Sequence, residues 1–170
     1  MTGLAGGEHS LYFDKTGIIH STGACGLGWC REFPVQKTHF GFSPVRLEQA
    51  RLVYASYYHN LAVSARNQLY IWGCGTFTEE GLDGVIPALG PGIRTDRGEG
   101  PHHVTLPNQE FIAGIAAGAY HSIVWIKPSN TVYTFGAGQL GQLGRPIETS
   151  RDESGLPVDP TPKPVVGLPQ

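Results

Sequence analysis

Apolar and polar residues alternate along this chain in short runs. Leu69-Tyr70-Ile71-Trp72 and Val132-Tyr133-Thr134-Phe135 are rich in β-branched and aromatic residues that suit a pleated, half-buried surface, and Gly73 and Gly136 end them. Both predict strands. Arg51-Leu52-Val53-Tyr54 and Phe111 to Ala116 predict two more, each preceded by a proline and a valine (Pro44-Val45, then Pro101 and Val104). An outer strand opening beside a proline fits there, because an edge tolerates the missing N–H. Glycine and proline are abundant and charged residues few, which disfavours long amphipathic helices.

The runs are written three times. Gly6-Gly7-Glu8-His9-Ser10-Leu11 returns as Ser56-Tyr57-Tyr58-His59-Asn60-Leu61 and as Gly118-Ala119-Tyr120-His121-Ser122-Ile123. His9, His59 and His121 are followed fourteen to fifteen residues later by Gly23, Gly73 and Gly136, the length of a hairpin. Self-similarity at a period of about fifty to sixty residues belongs to propellers and repeat arrays. The expected fold is therefore an all-β propeller of about three four-stranded blades. The repeats run from about 4 to 47, 51 to 106 and 111 to 168, the first and last being incomplete. Closed propellers have roughly four to eight blades. A three-blade arc exposes sheet edges and faces, so the remaining blades or another subunit are expected to cover them.

A net charge of −2 and a pI near 6.4 remove the electrostatic footprint of a nucleic-acid binder. No apolar run is long enough to span a bilayer, and no signal-peptide pattern is visible at Met1, so no membrane partner is expected. Three cysteines cannot all pair, which fits a reducing compartment, cytosolic or nuclear.

Little in the chain predicts covalent chemistry. His9-Ser10 and His121-Ser122 set a base beside a hydroxyl, but neighbours on a strand point to opposite faces, and a catalytic group is built once rather than in every repeat. A structural role, tying strands or blades by hydrogen bonds, is the better reading of the three histidines. Cys25 and Cys30, near His20 and His39, lie at the edge of zinc-site spacing with no second pair. Gly136-Ala137-Gly138-Gln139-Leu140-Gly141 matches a phosphate-loop pattern, but no apolar helix follows, so a turn is expected. Neither a metal nor a cofactor is expected, and the protein is not expected to be an enzyme.

Tyr120-His121, the Val132-Tyr133 strand and Gly136 through Gly141-Gln142-Leu143-Gly144-Arg145 closely resemble the repeat of the regulator of chromosome condensation family. The other two repeats are weaker copies. In the middle repeat Trp72-Gly73-Cys74-Gly75-Thr76-Phe77-Thr78-Glu79-Glu80-Gly81-Leu82-Asp83-Gly84-Val85-Ile86 replaces the usual glycine turn. This resembles the projecting β-wedge of the family's guanine-nucleotide exchange factors for the small GTPase Ran. The resemblance implies the second to fourth blades of a seven-bladed propeller, with a long polar insertion from Pro146 to Pro160. It further implies GTPase binding by Phe77, Glu79, Glu80, Asp83, Val85 and Ile86, with Arg145 assisting from the next blade. A nuclear location and chromatin contact through parts outside this chain are implied as well, with a cytoplasmic location as the alternative. Two departures stand out: Tyr57, Tyr58 and Ala119-Tyr120 replace acidic residues before the histidine, and the wedge is about two residues longer. The alternative function is a non-catalytic propeller scaffold, as in ubiquitin ligases or signalling proteins, with Tyr57, Tyr58 and Tyr120 as its aromatic anchors.

Overall fold

The computed structural model describes residues 2–7, 9–23, 41–73, 101–147 and 157–168. Every regular element among them is a strand. The first sheet holds β1 (Thr2–Ala5), β2 (His9–Phe13), β3 (Ile19–Gly23) and β4 (Ser43–Pro44). The second holds β5 (Ala50–Ala55), β6 (His59–Ser64), β7 (Leu69–Gly73) and β8 (His102–Val104). The third holds β9 (Phe111–Ala117), β10 (His121–Lys127), β11 (Val132–Ala137) and β12 (Val158–Pro164). Each is antiparallel with its strands in chain order, the arrangement of a propeller blade.

Three details differ from expectation. All three sheets carry four strands, so the first and last blades are not short of one. The short run Thr2–Ala5 was not predicted as a strand, yet its backbone pairs with β2 from Thr2↔Phe13 to Ala5↔Ser10. The polar insertion also ends earlier than Pro160, because Val158 and Asp159 already pair with Ala137 and Gly136. Pro160, Pro162 and Pro164 fit on β12 because it is the edge strand of its sheet.

The blades pack face to face, and the pleat sorts their side chains. Leu61 and Val63 of β6, with Leu69 and Ile71 of β7, join Ile112, Ile115, Val124, Ile126 and Phe135 of the third blade in one core. Ala62 and Trp72 on the opposite face join Leu11, Ile19 and Val45 in a second. Lying between two neighbours, β6 is buried at all six positions. On β10, by contrast, Ser122, Val124 and Ile126 are buried while Trp125 and Lys127 are exposed, since only one face is covered.

The ends of the blades opposite the repeat histidines are clasped by polar groups. Asn67 turns the β6–β7 hairpin with φ near 67°, where an asparagine is tolerated. Its amide donates to the Glu110 carbonyl (2.8 Å) and accepts from the Ile112 N–H (2.9 Å). Arg51 donates to both the Asn67 side chain and the Ile112 carbonyl, with its guanidinium 4.2 Å from the centre of the Phe111 ring. A mixed polar cavity of about 280 Å³ opens beside this clasp, between Arg66, His103, Asn108 and Glu110. Among the described residues no group of three or more His, Cys, Asp or Glu is placed to hold a metal ion.

Candidate protein-binding end of the blades

The repeat histidines begin β2, β6 and β10, each paired across its hairpin with a glycine: His9↔Gly23, His59↔Gly73 and His121↔Gly136. All three glycines take positive φ, between 92° and 120°. At Gly73 a Cβ would stand 2.7 Å from the His59 Cα and the Tyr58 carbonyl, so both backbone conformation and space demand glycine. One turn precedes every histidine: Gly6, Ser56 and Gly118 donate their N–H groups to the carbonyls of His9, His59 and His121 at 2.8 to 3.0 Å. The rings of His9 and His121 fold back onto Gly6 and Gly118, where a Cβ would collide with ring carbon Cε1.

His9 and His59 each reach into the next blade. His9 Nε2 lies 2.6 Å from Asn60 Oδ1 and, that oxygen being an acceptor, donates to it. His59 Nε2 lies 2.9 Å from Ser122 Oγ. Both partners follow the neighbouring blade's histidine by one residue. The Ser56 hydroxyl adds a bond to the Gly118 carbonyl, and the Gly7 N–H donates to the Tyr57 carbonyl at 3.1 Å. Burial pushes the His59 imidazole down to about 4; a backbone hydrogen bond at Ala119 opposes the shift, and nearby His121 and His9 reinforce it. Burial also lowers His121. His59 is therefore neutral at physiological pH.

The pairing of His59 with Ser122 resembles a base beside a nucleophile, but both side chains are completely buried and no substrate reaches them. Its role is to join blades. Thr134, Leu143 and the glycine run after β11 form successive turns, with Gly141 donating to Gly138 and Gly144 to Gly141. Among the described residues no helix follows to receive a phosphate.

Arg145 lies in this region with its side chain buried. Its guanidinium donates to Asp159 Oδ2 at 2.9 Å and to the Thr134 carbonyl at 3.0 Å, while Lys163 reaches the same carboxylate at 2.8 Å. Burial works to raise the Asp159 carboxyl, and hydrogen bonds from Lys163, Thr161 and Arg145 outweigh it, leaving it below the usual 3.8. The pair ties the turns after β11 to the start of β12, and the Arg145 charge is balanced internally. Phe77, Glu79, Glu80, Asp83, Val85 and Ile86 lie outside the described residues, as do Cys25, Cys30 and His39.

The sequence did not single out Asn60 and Ser122 as histidine partners, nor Asp159 as the partner of Arg145. A signal for the first pair existed, since a small hydrogen-bonding residue follows every repeat histidine. The tyrosines come together: Tyr57 meets Tyr58 edge to face at 4.5 Å, and Tyr58 stacks on Tyr120 of the third blade at 5.0 Å.

No protein-family model matches the chain. The ultraviolet-B receptor UVR8 of Arabidopsis thaliana is 31% identical over 82% of this chain and 30% of its own length. The human probable E3 ubiquitin-protein ligase HERC3 is 34% identical over 74% of this chain and 11% of its own. The human regulator of chromosome condensation is 28% identical over 89% and 34%. The chain thus spans about a third or less of these relatives' length. Two solved structures of Prp20 of Saccharomyces cerevisiae, one of them bound to Kap60, superpose with TM-scores of 0.74 and 0.73 at 21% and 22% identity. They cover 99% of this chain and 39% and 37% of theirs, and they share its fold. With its blades, its repeat motif and these relatives, the chain belongs to the regulator of chromosome condensation family of β-propeller proteins.

Proposed function

We propose that this chain is part of a guanine-nucleotide exchange factor for a small GTPase, Ran on the resemblance of its middle repeat. The carrying observation is where the middle blade opens: β7 stops at Gly73, beside His59, and the sequence that follows, Phe77 to Ile86, resembles the family's wedge. Glu79, Glu80 and Asp83 provide negative charge suited to compete with phosphate or to displace magnesium, with Phe77, Val85 and Ile86 as apolar anchors. Arg145, which the resemblance implies assists from the next blade, is positioned by its ion pair with Asp159. Of the family's solved members, Prp20p is described with its binding to Gsp1p and histones, which supports the same kind of partner here.

Exchange of this kind needs no covalent step. A protein that binds the empty GTPase more tightly than the loaded one speeds release, and linkage makes nucleotide rebinding expel it. Contact with chromatin and a nuclear location follow as parts of the same proposal. The test is release of a fluorescent guanine nucleotide from Ran by the full-length protein. Wild type accelerates release, and replacing Glu79, Glu80 and Asp83 by alanine slows it while leaving the unfolding free energy from urea titration within about half a kcal/mol. Equal acceleration by both refutes the wedge assignment. If neither accelerates release, the protein is a binding scaffold, the reading that the joined tyrosines Tyr57, Tyr58 and Tyr120 favour.

A further inference from the structure

One face of the first blade departs from the pattern that joins the others. Counted from the paired histidine and glycine, Tyr12, His20 and Thr22 stand where the second blade has Ala62, Tyr70 and Trp72 and the third has Val124, Tyr133 and Phe135. Ala62, Trp72, Val124 and Phe135 are wholly buried in the seams with the preceding blades. Tyr12 and Thr22 carry hydroxyls there instead. Leu11 and Ile19 turn the other way, into the core shared with the second blade, so Tyr12 and His20 point outward. The place of His20 stays reachable even where a blade packs on this face, since Tyr70 is only half-buried and bonds Gln68 through its hydroxyl.

The outward side chains form an aromatic corner with a carboxylate beside it. Tyr12 stands opposite His20 across the β2–β3 hairpin, its ring 5.9 Å from the imidazole and 6.3 Å from the Phe42 ring, to which it is inclined at 68°. Phe42 is 56% exposed, and Tyr12, Asp14 and His20 are half-buried. Asp14 opens the turn between β2 and β3. Its Oδ1 accepts from the Thr16 N–H, the Thr16 hydroxyl and the Ile18 N–H at 2.7, 2.6 and 3.1 Å, which fixes the carboxylate in place. The Thr16 hydroxyl above all holds this acid at about 2, so it is ionised at neutral pH. Its Oδ2 lies 3.6 Å from His20 Nε2, too far for a good hydrogen bond, and keeps the capacity to accept one. The corner thus offers a fixed negative charge, one open acceptor and ring faces that attract cations. An unmodified ammonium brings three N–H donors and is strongly hydrated, so one carboxylate oxygen serves it poorly. A dimethylammonium brings one donor and two methyl groups, which suits both features.

We propose that Tyr12, Phe42 and Asp14 form a binding site for a dimethyllysine side chain of a partner protein, its N–H donated to Asp14 Oδ2 and its methyl groups set against the two rings. The proposal goes beyond the exchange reading and does not rest on it. Its probe is a fluorescein-labelled Gly-Ser peptide bearing one dimethyllysine, titrated with the full chain and followed by anisotropy, beside the same peptide with lysine, acetyllysine or trimethyllysine in that place. The dimethyl peptide binds saturably and at least about three-fold tighter than the lysine peptide, and the acetyl peptide does not bind. Phe42→Leu weakens it about two- to five-fold, the effect of losing one exposed cation–π contact, while Phe42→Tyr keeps a ring and stays close to wild type. Asp14→Asn retains the Oδ1 that the turn needs but loses the charge, and it weakens the dimethyl peptide more than the trimethyl one, which has no N–H to give. If Asp14→Asn unfolds by circular dichroism, the exposed Phe42 pair decides alone. Equal binding of the lysine or acetyllysine peptide, tighter binding of the trimethyl peptide or of phosphocholine, equal losses of the two methylated peptides in a folded Asp14→Asn, an unaffected Phe42→Leu, or a Phe42→Tyr as weak as Phe42→Leu each overturns the proposal. Nucleotide release from Ran is measured separately, so failure of exchange with intact peptide binding refutes only the exchange reading.

Discussion

Acid should loosen this structure through His59. The unfolded chain takes up a proton on that imidazole at the ordinary 6.5, whereas the folded chain resists until about 4. Between those values the unfolded state carries more proton, so stability is fully present above 6.5 and is lost as pH falls toward 4. The gap corresponds to about 3 kcal/mol, a large part of a small domain's stability. His121, lowered by burial, adds loss in the same direction. Asp14, held near 2 first by the Thr16 hydroxyl, and Asp159 sit below 3.8 and contribute only in stronger acid. The control is His59→Gln, whose amide offers a donor and an acceptor to Ser122 but does not titrate. Urea unfolding is followed by tryptophan fluorescence from pH 7.5 to about 4.5, Trp72 being fully buried between the first two blades. Wild type loses roughly 2 to 3 kcal/mol across that window, and His59→Gln, though less stable at pH 7.5, loses distinctly less. Equal pH slopes for the two proteins would show that His59 is not what acid attacks.

Trp72→Ala should lower stability by about 3–5 kcal/mol in urea unfolding, because it empties the core between the first two blades. Asp159→Asn leaves the buried Arg145 without its counter-charge and should cost about 3–5 kcal/mol, whereas Lys163→Ala, removing a half-exposed partner, should lower the unfolding free energy measured in urea by no more than about 1 kcal/mol. Gly73→Ala should destabilise by more than about 1 kcal/mol in thermal unfolding, since alanine resists a φ of 120° and its Cβ meets the His59 backbone.

The strands, their order along the chain and the hairpin between each histidine and its glycine were legible because they are local. The period-2 pattern of Leu69 to Trp72 and the left-handed glycine that ends it act over a few residues, and the pairing His59↔Gly73 follows from their spacing. Repetition then carried one hairpin into a propeller. What the histidines hold was decided only in three dimensions, because Asn60 and Ser122 stand about fifty and sixty residues from the rings they meet, each brought there by face-to-face packing of two sheets. Tertiary structure likewise supplied β1 and the start of β12 at Val158, ahead of the outer strand that the sequence places at Pro162 to Leu168. A four-residue strand containing glycine and a proline-rich strand have little propensity of their own and form because an adjacent strand edge offers unpaired hydrogen-bonding groups. Arg145 shows the same limit most plainly. A glycine-rich motif identifies its place in the repeat, but only the return of the chain to Asp159 determines whether its charge faces a partner or is neutralised within the fold.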